Sequence, residues 1–287
     1  MRAGTIALVL IAAAAHAIWN IVSKYKRGDT VLFVWAYTCA SAVLCVPIGI
    51  LLAVDGTQPA TRQLAAASAV SAALHVAYSL TLQGGYDRAD LGVVYPVARG
   101  TGPLLTMSSA ILFLGERPTA AAVLGGLTVV AGIVVVTGNP FRRGGGSRPV
   151  RGVGWGAATG ASIAAYTLWD SYSVASLHLA PVSYYSGTLV LQCLFLTPSA
   201  LRRREQIAST VRRNAAPVLT VAVFSPLAYI LVLSAMRTAP VALVAPLRES
   251  SIVVGSLLAW RLFHEAHLAR RLVGAAAVLA GIAAISL

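Results

Sequence analysis

The chain has 287 residues, 57% of them hydrophobic and 11% charged, with a mean hydropathy of +0.77 and a formal net charge of +13. That hydropathy excludes an ordinary soluble domain. The basic residues sit mainly between apolar runs, which points to anionic lipid headgroups and excludes nucleic acid as the partner.

Apolar runs near the ~20 residues that cross ~30 Å of hydrocarbon recur from end to end. The predicted spans are 4–23, 31–53, 64–85, 90–113, 119–138, 152–174, 182–200, 215–236, 239–262 and 268–286, which leaves no stretch for a soluble domain of useful size. They are rich in Ala, Leu, Val and Gly and lack the alternation of an outer-membrane barrel strand. Small residues are the usual packing surface between membrane helices, because they let backbones approach. The expected fold class is therefore an all-α integral membrane protein with ten transmembrane helices.

The first span opens "MRAGTIALVLIAAAAHA", which imitates a cleavable signal peptide. An internal repeat argues that it stays. "HAIWNIVSKY" (16–25) matches "YTLWDSYSVA" (166–175), so Trp19 meets Trp169 at an offset of 150. "AYSLTL" (77–82) matches "AYILVL" (228–233), and "VVYPVAR" (93–99) matches "LVAPLRE" (243–249), so Pro96 meets Pro246. "LGERPTAAAVLGGLTVVAG" (114–132) matches "FHEAHLARRLVGAAAVLAG" (263–281), so Glu116 meets Glu265, Gly125 meets Gly274 and Gly132 meets Gly281. The chain thus reads as one five-helix unit over 1–140, a basic Gly-rich linker over 141–151, and a second unit over 152–287. Five is odd, so successive units cross the membrane in opposite senses. The result is an inverted repeat, whose substrate sites lie near the midplane where the repeats meet.

The fourth and ninth spans carry charge deep in the membrane. Arg99 lies about nine residues into the fourth, and Arg248 and Glu249 lie equally far into the ninth. An arginine at the bilayer centre costs about 2.5–3.5 kcal/mol on insertion scales. The repeat sets Arg99 opposite Glu249, so Glu249, water or an anionic group of a substrate is expected to compensate it. Arg248 and Glu249 are adjacent, so on a regular helix they point about 100° apart and face each other poorly. Two arginines against one glutamate suggest a site for a carboxylate or phosphate, which the planar guanidinium suits. The competing reading is a structural ion pair that locks the two halves. Pro96, Gly100, Gly102 and Pro103 are expected to interrupt the helix around Arg99, as Pro246 does in the ninth span; irregular backbone at this depth marks a cavity lining, a moving part or close packing.

Further substrate-site candidates are His16, Trp19 and Asn20 in the first span, His75 and Tyr78 in the third, and Tyr95 in the fourth. Tyr166, Trp169 and Asp170 in the sixth span and Tyr229 in the eighth complete the set. Tyr95 and Arg99 are spaced i, i+4 and share a face, as do His16 and Asn20, and Tyr166 and Asp170. Aromatic rings beside polar groups suit an amphipathic metabolite. The plainer reading of Trp35, Trp155 and Trp260 is interfacial anchoring. Asp170 reads as a proton carrier, a partner for an arginine, or a solvated residue near a helix end. His75 reads as a helix-packing residue or as a protonation site.

The tandem five-helix units, "WN" at 19–20, "YPVARGTGPLL" at 95–105, and "GERPT" at 115–119 before a Gly-rich span resemble the drug/metabolite transporter superfamily, specifically its EamA-like members. The resemblance covers nearly the whole chain. It implies export or import of amino acids, nucleotide-like or sugar-like metabolites, or drugs. The second copy departs from the pattern, with "WD" for "WN" and "FHEAH" for "LGERP", so the halves need not share one role.

The loops after odd-numbered spans hold Lys24, Lys26, Arg27, Arg88, Arg142, Arg143, Arg148, Arg151, Arg202, Arg203, Arg204, Arg212, Arg213, Arg270 and Arg271; the other side holds Arg2, Arg62, Arg117 and Arg237. The positive-inside rule makes the odd loops cytoplasmic and both termini external. The resemblance implies the opposite, with both termini cytoplasmic.

"HEAH" at 264–267 lacks the zinc-protease spacing, and no phosphate-cradling loop is present. Cys39, Cys45 and Cys193 all fall in apolar spans and read as small hydrophobes. No cofactor or metal is expected. The sequence therefore points to a secondary transporter, not an enzyme, in the inner or plasma membrane. Its expected partners are the lipid bilayer and a small-molecule substrate, with the proton gradient as candidate energy source. Monomer and homodimer both remain open, because the small-residue faces of the fifth and tenth spans suit either internal packing or dimer contacts. The alternatives are an intramembrane lipid-modifying enzyme and a non-transporting membrane interaction protein.

Overall fold

The computed structural model describes residues 2–23, 25–89, 91–137, 149–251, 253 and 268–286, with eleven helices among them. They are α1 (Ala3–Ser23), α2 (Thr30–Val54), α3 (Arg62–Arg88), α4 (Leu91–Phe113) and α5 (Ala120–Thr137) in the first repeat. The second repeat contains α6 (Pro149–Ala175), α7 (Pro181–Leu201), α8 (Arg204–Arg213), α9 (Ala215–Met236), α10 (Val241–Arg248) and α11 (Leu268–Ser286). Four of them, α1, α2, α3 and α9, hold windows long and apolar enough to span a membrane on composition alone.

The start signals are local. Asp29 accepts from Leu32 N at 2.9 Å, Thr61 from Leu64 N at 3.1 Å and Thr119 from Ala122 N at 3.2 Å, each satisfying an amide that a helix N-terminus leaves free. Gly56 and Gly115 take φ of +78° and +69° just past α2 and α4, where a side chain would be strained.

Helix packing follows the repeat. α1 packs on α9 as α6 packs on α3; α2 packs on α9 as α7 packs on α3; α4 packs on α6 as α10 packs on α1. Three pairs map onto themselves: α2 with α7, α4 with α10, and α5 with α11. This is the pattern of a pseudo-two-fold. The α5–α11 seam fixes its sense. A Cβ on Gly125 would lie 2.6 Å from Gly281 O, and one on Gly132 would lie 2.8 Å from Gly274 O. Rising residue numbers in one helix meet falling numbers in the other, so these equivalent helices run antiparallel. The chain is an all-α membrane protein with ten transmembrane helices in two inverted five-helix repeats. The small-residue faces of α5 and α11 pack on each other.

Contacts between loops keep the sidedness that ten spans require. On the odd side, Arg203 makes paired hydrogen bonds to Asp29 at 2.8 and 2.9 Å. On the same side, the Asn214 carboxamide brackets both backbone groups of Arg27. On the even side, Gln58 Oε1 accepts from Ala180 N at 2.7 Å, and Thr5 and Thr238 hydroxyls lie 3.2 Å apart.

Two expectations change. Residues 201–214, expected as a loop, contain the short exposed helix α8, whose last turn places Arg212 and Arg213 at its negative dipole end. The expected span 239–262 begins with α10, which stops at Arg248; residues 254–267, with Trp260, Glu265 and "HEAH", lie outside the described residues.

Candidate functional site

Arg99 is set in place by the α4–α6 seam. Gly152, Gly156 and Gly160, spaced i, i+4, i+8, receive Val93, Val97 and Thr101, spaced the same way; a Cβ on Gly156 would lie 2.6 Å from Val97 Cβ, and one on Gly152 2.9 Å from Val93 Cγ1. Arg99, between Val97 and Thr101 in sequence, therefore points away from α6 and reaches α10. α4 runs uninterrupted from Leu91 to Phe113 through Pro96 and Pro103, contrary to expectation. Gly102 serves close packing, since a Cβ there would lie 3.0 Å from Ile163 Cγ2, whereas Gly100 has only Val130 at 4.0 Å.

The interruption occurs in α10. Pro246 has no N–H to give the ladder, and the last turn tightens: Glu249 N donates to Pro246 O at 3.1 Å and Ser250 N to Leu247 O at 3.1 Å. The helix start is held from the other repeat by Glu116, whose two carboxylate oxygens accept from Val241 N at 2.8 Å and Ala242 N at 2.9 Å. Carboxylates are favoured there by the helix dipole as well as by the free amides.

At the end of α10 the charges meet. Arg99 Nη1 lies 3.1 Å from Glu249 Oε2, and Arg248 Nη2 lies 3.3 Å from Glu249 Oε1. The second contact corrects the expected divergence of Arg248 and Glu249. The 100° step holds inside a regular helix, whereas here the helix ends between them. His16 Nε2 lies 3.4 Å from Arg99 Nη2. Glu249 is fully buried, and Arg99 and Arg248 retain only 6% and 5% of their exposure. Arg248 Nε and the Ser250 hydroxyl are buried donors with no partner among the described residues.

A second buried cluster lies beside the first. Asp170, read from the sequence as a proton carrier, an arginine partner or a solvated residue, is fully buried, which removes the solvated reading. Its burial follows from α6 continuing to Ala175 under α3 and α9, with Tyr184 of α7 reaching it. Tyr184 donates to Asp170 Oδ1 at 2.6 Å, the Tyr229 hydroxyl bonds Oδ2, and His75 Nε2 lies 3.1 Å from Oδ2. His75 stacks on Tyr166 at 4.2 Å and stands edge-on to Tyr229 at 5.2 Å. Arg248 lies within electrostatic reach of both Tyr166 and Tyr229, which joins the clusters. Asp170 is thus the second carboxylate that a count of two arginines against one glutamate leaves out.

The other candidates divide. Tyr78 meets Tyr166 edge-on at 5.5 Å, and Trp19 meets His16 at 4.8 Å with its buried Nε1 unpartnered among the described residues. Asn20 donates to His16 O at 2.7 Å, a bond within its own helix. Trp169 serves packing, donating to Ala67 O at 3.0 Å. Tyr95 and Pro96 lie in α4, with side chains outside the described residues. Trp35 bonds Thr197 Oγ1 at 3.1 Å between α2 and α7, and Trp155 lies under Arg88 at 5.5 Å. Tyr184 escaped the sequence reading; the run "SYYSG" (183–187) in an apolar span was the signal for it.

A crystal structure 16% identical to this chain covers 99% of it and 96% of its own length, with a TM-score of 0.80, a likeness of fold alone. No curated protein matches the chain in sequence. The model of the EamA-like transporter family, a drug/metabolite-type family, matches residues 3–138 and again 150–287. The chain is a multi-pass membrane protein that belongs to the EamA-like transporter family.

Proposed function

We propose that the chain is a secondary transporter, not an enzyme, of the inner or plasma membrane. It moves a small polar or amphipathic metabolite outward, an amino acid or organic anion being the class that fits, by alternating access. The observation that carries this reading is the buried Arg99–Glu249–Arg248 cluster between the repeats. Equivalent residues that touch lie close to the axis relating them, and in an inverted repeat that axis runs in the membrane plane. Buried donors without acceptors are rare in native structures. Among the described residues, Arg248 Nε and Ser250 Oγ are two such donors beside the cluster, and a substrate carboxylate would satisfy them.

In this reading Arg99, Arg248 and Glu249 form the charged floor of the site. His16, Trp19, Asn20, Tyr78, Tyr166 and Tyr229 line it, and Trp169 braces it. Residues 1–140 and 152–287 act as two bodies joined by 141–151, with Pro96, Gly100, Pro103 and Pro246 on the moving helices. Rocking of one repeat against the other exposes the site to each side in turn.

Metabolite profiling of cells and medium tests this. The chain would be deleted, overexpressed, or overexpressed as Arg99→Ala at matched membrane amounts. A compound that leaves the cell with the intact chain and stays with the variant supports the reading. No redistribution under many growth conditions would sink it.

A further inference from the structure

We propose that His75 and Asp170 form a proton-binding site, one per chain, that couples transport to a pH gradient; the inference rests on the transport reading above. It starts from one difference between the repeats. Asn20 and Asp170 occupy equivalent positions, each just after a tryptophan. Asn20 cannot titrate, and its amide is spent on the His16 carbonyl of its own helix at 2.7 Å. Asp170 can titrate, and its carboxylate gathers donors from three other helices: His75 of α3, Tyr184 of α7 and Tyr229 of α9. A buried carboxylate is costly unless it is paired and hydrogen-bonded. Here the charge partner is an imidazole, a side chain able to hold a proton on one ring nitrogen or on both.

The geometry also gives the proton a way in. The His75 side chain keeps 12% of its exposure, whereas Asp170 keeps none, so of the two the imidazole is the more accessible group and the step by which a proton reaches the carboxylate. Among the described residues, the groups facing the pair are Tyr166 on α6, Tyr184 and Tyr185 on α7, Tyr229 on α9 and, through Tyr166 and Tyr229, Arg248 on α10. None is a second carboxylate or a second imidazole. The proton balance is simple. With a neutral imidazole the pair carries one negative charge; it takes one proton from water on one side, becomes neutral overall, and returns that proton to water on the other. Protonation removes a buried negative charge beside Tyr229, within reach of Arg248, so proton occupancy alters the field of the central cluster. Asn20 stands where Asp170 would be in the first repeat, so the His75–Asp170 pair occurs once in the chain and binds one proton.

The test uses membrane vesicles from cells producing the full chain, with a metabolite extract of the same cells as probe. Lumenal compounds are measured with no pH gradient and with a gradient of ~1 unit imposed in each direction. One proton per substrate sustains an accumulation of about tenfold at that gradient. The intact chain should show this for at least one compound. Asp170→Asn and His75→Gln should abolish accumulation yet still let the same compound equilibrate without a gradient, which a merely structural role would not produce. If Asp170→Asn does not reach the membrane, His75→Gln decides alone. The proposal is overturned if a variant accumulates like the intact chain, or if a folded variant loses equilibration as well. It is also overturned if the intact chain equilibrates a compound but concentrates nothing under either gradient. A chain that moves no compound even without a gradient instead removes the transport reading on which the proposal stands.

Discussion

Arg99 and Glu249 occupy the same position in two copies of one five-helix unit, and they bind each other, Nη1 to Oε2, at 3.1 Å. A two-fold repeat of a single ancestral residue could not make such a pair; like charges would meet at the axis. The two copies differ at this position, and the difference makes the meeting attractive. The surrounding charges make the two partners unequal. Removing Arg99 leaves Glu249 still paired with Arg248 at 3.3 Å, whereas removing the Glu249 carboxylate takes a contact from Arg99 and from Arg248 at once.

That inequality is measurable. Breaking a buried pair by removing one partner costs about 3–5 kcal/mol when the other charge is stranded. Glu249→Gln should therefore lower thermal stability in detergent clearly more than Arg99→Ala does. Equal losses would mean that Arg248 does not hold Glu249 as its geometry indicates.

The α5–α11 seam makes a second prediction. A methyl group on Gly281 would sit 2.6 Å from Gly125 O, which backbone cannot yield cheaply, whereas a methyl on Gly154 meets nothing within 4 Å. Gly281→Ala should lose folded protein, and Gly154→Ala should gain up to ~1 kcal/mol from helix propensity alone. Fluorescence-detected size exclusion after a heating series compares them. A tolerated Gly281→Ala would deny the close antiparallel approach.

Much of this architecture was legible because it rests on long signals. Ten apolar spans and a repeat near offset 150 survive any local irregularity, and they brought Arg99 to Glu249 before any coordinates did. What escaped was set by tertiary neighbours. Asp170 was a candidate whose solvated reading stayed open because it lies near the end of its span; α3 and α9 pack over it and Tyr184 of α7 bonds it. Tyr184 lay in an apolar run and showed its role only through the carboxylate it reaches. α8 was missed because its polar face reads as loop, and the Gly152–Gly156–Gly160 seam because one stripe means little until Val93, Val97 and Thr101 are seen to fill it.

Glu116 gives a third prediction, because it joins the repeats away from the central charges. Its carboxylate takes both first-turn amides of α10, the helix that ends in Arg248. Glu116→Ala strands two donors and should cost about 0.5–2 kcal/mol, the range for loss of a helix cap. Glu116→Gln keeps one acceptor and should fall between the intact chain and Glu116→Ala in thermal unfolding. If Ala and Gln behave alike, the charge and not the hydrogen bonds holds the helix start.

The loops and helix ends of the odd side carry fifteen of the nineteen Lys and Arg residues that lie outside the deep spans and residues 254–267, and two of those loops are tied together by Asp29 with Arg203 and by Arg27 with Asn214. Cytoplasmic retention of positive charge then puts α8 inside and the turn after α2 outside. The measurement is thiol labelling of intact cells with a membrane-impermeant reagent, in a chain with Cys39, Cys45 and Cys193 changed to Ala. Thr57→Cys, on the even side, should label before lysis, and Ser209→Cys, exposed on α8, only after it. The reverse pattern would put both termini in the cytoplasm, as the family resemblance implies. It would also mean that the basic loops face outward against the membrane potential, so that the charge on α8 serves something other than topology.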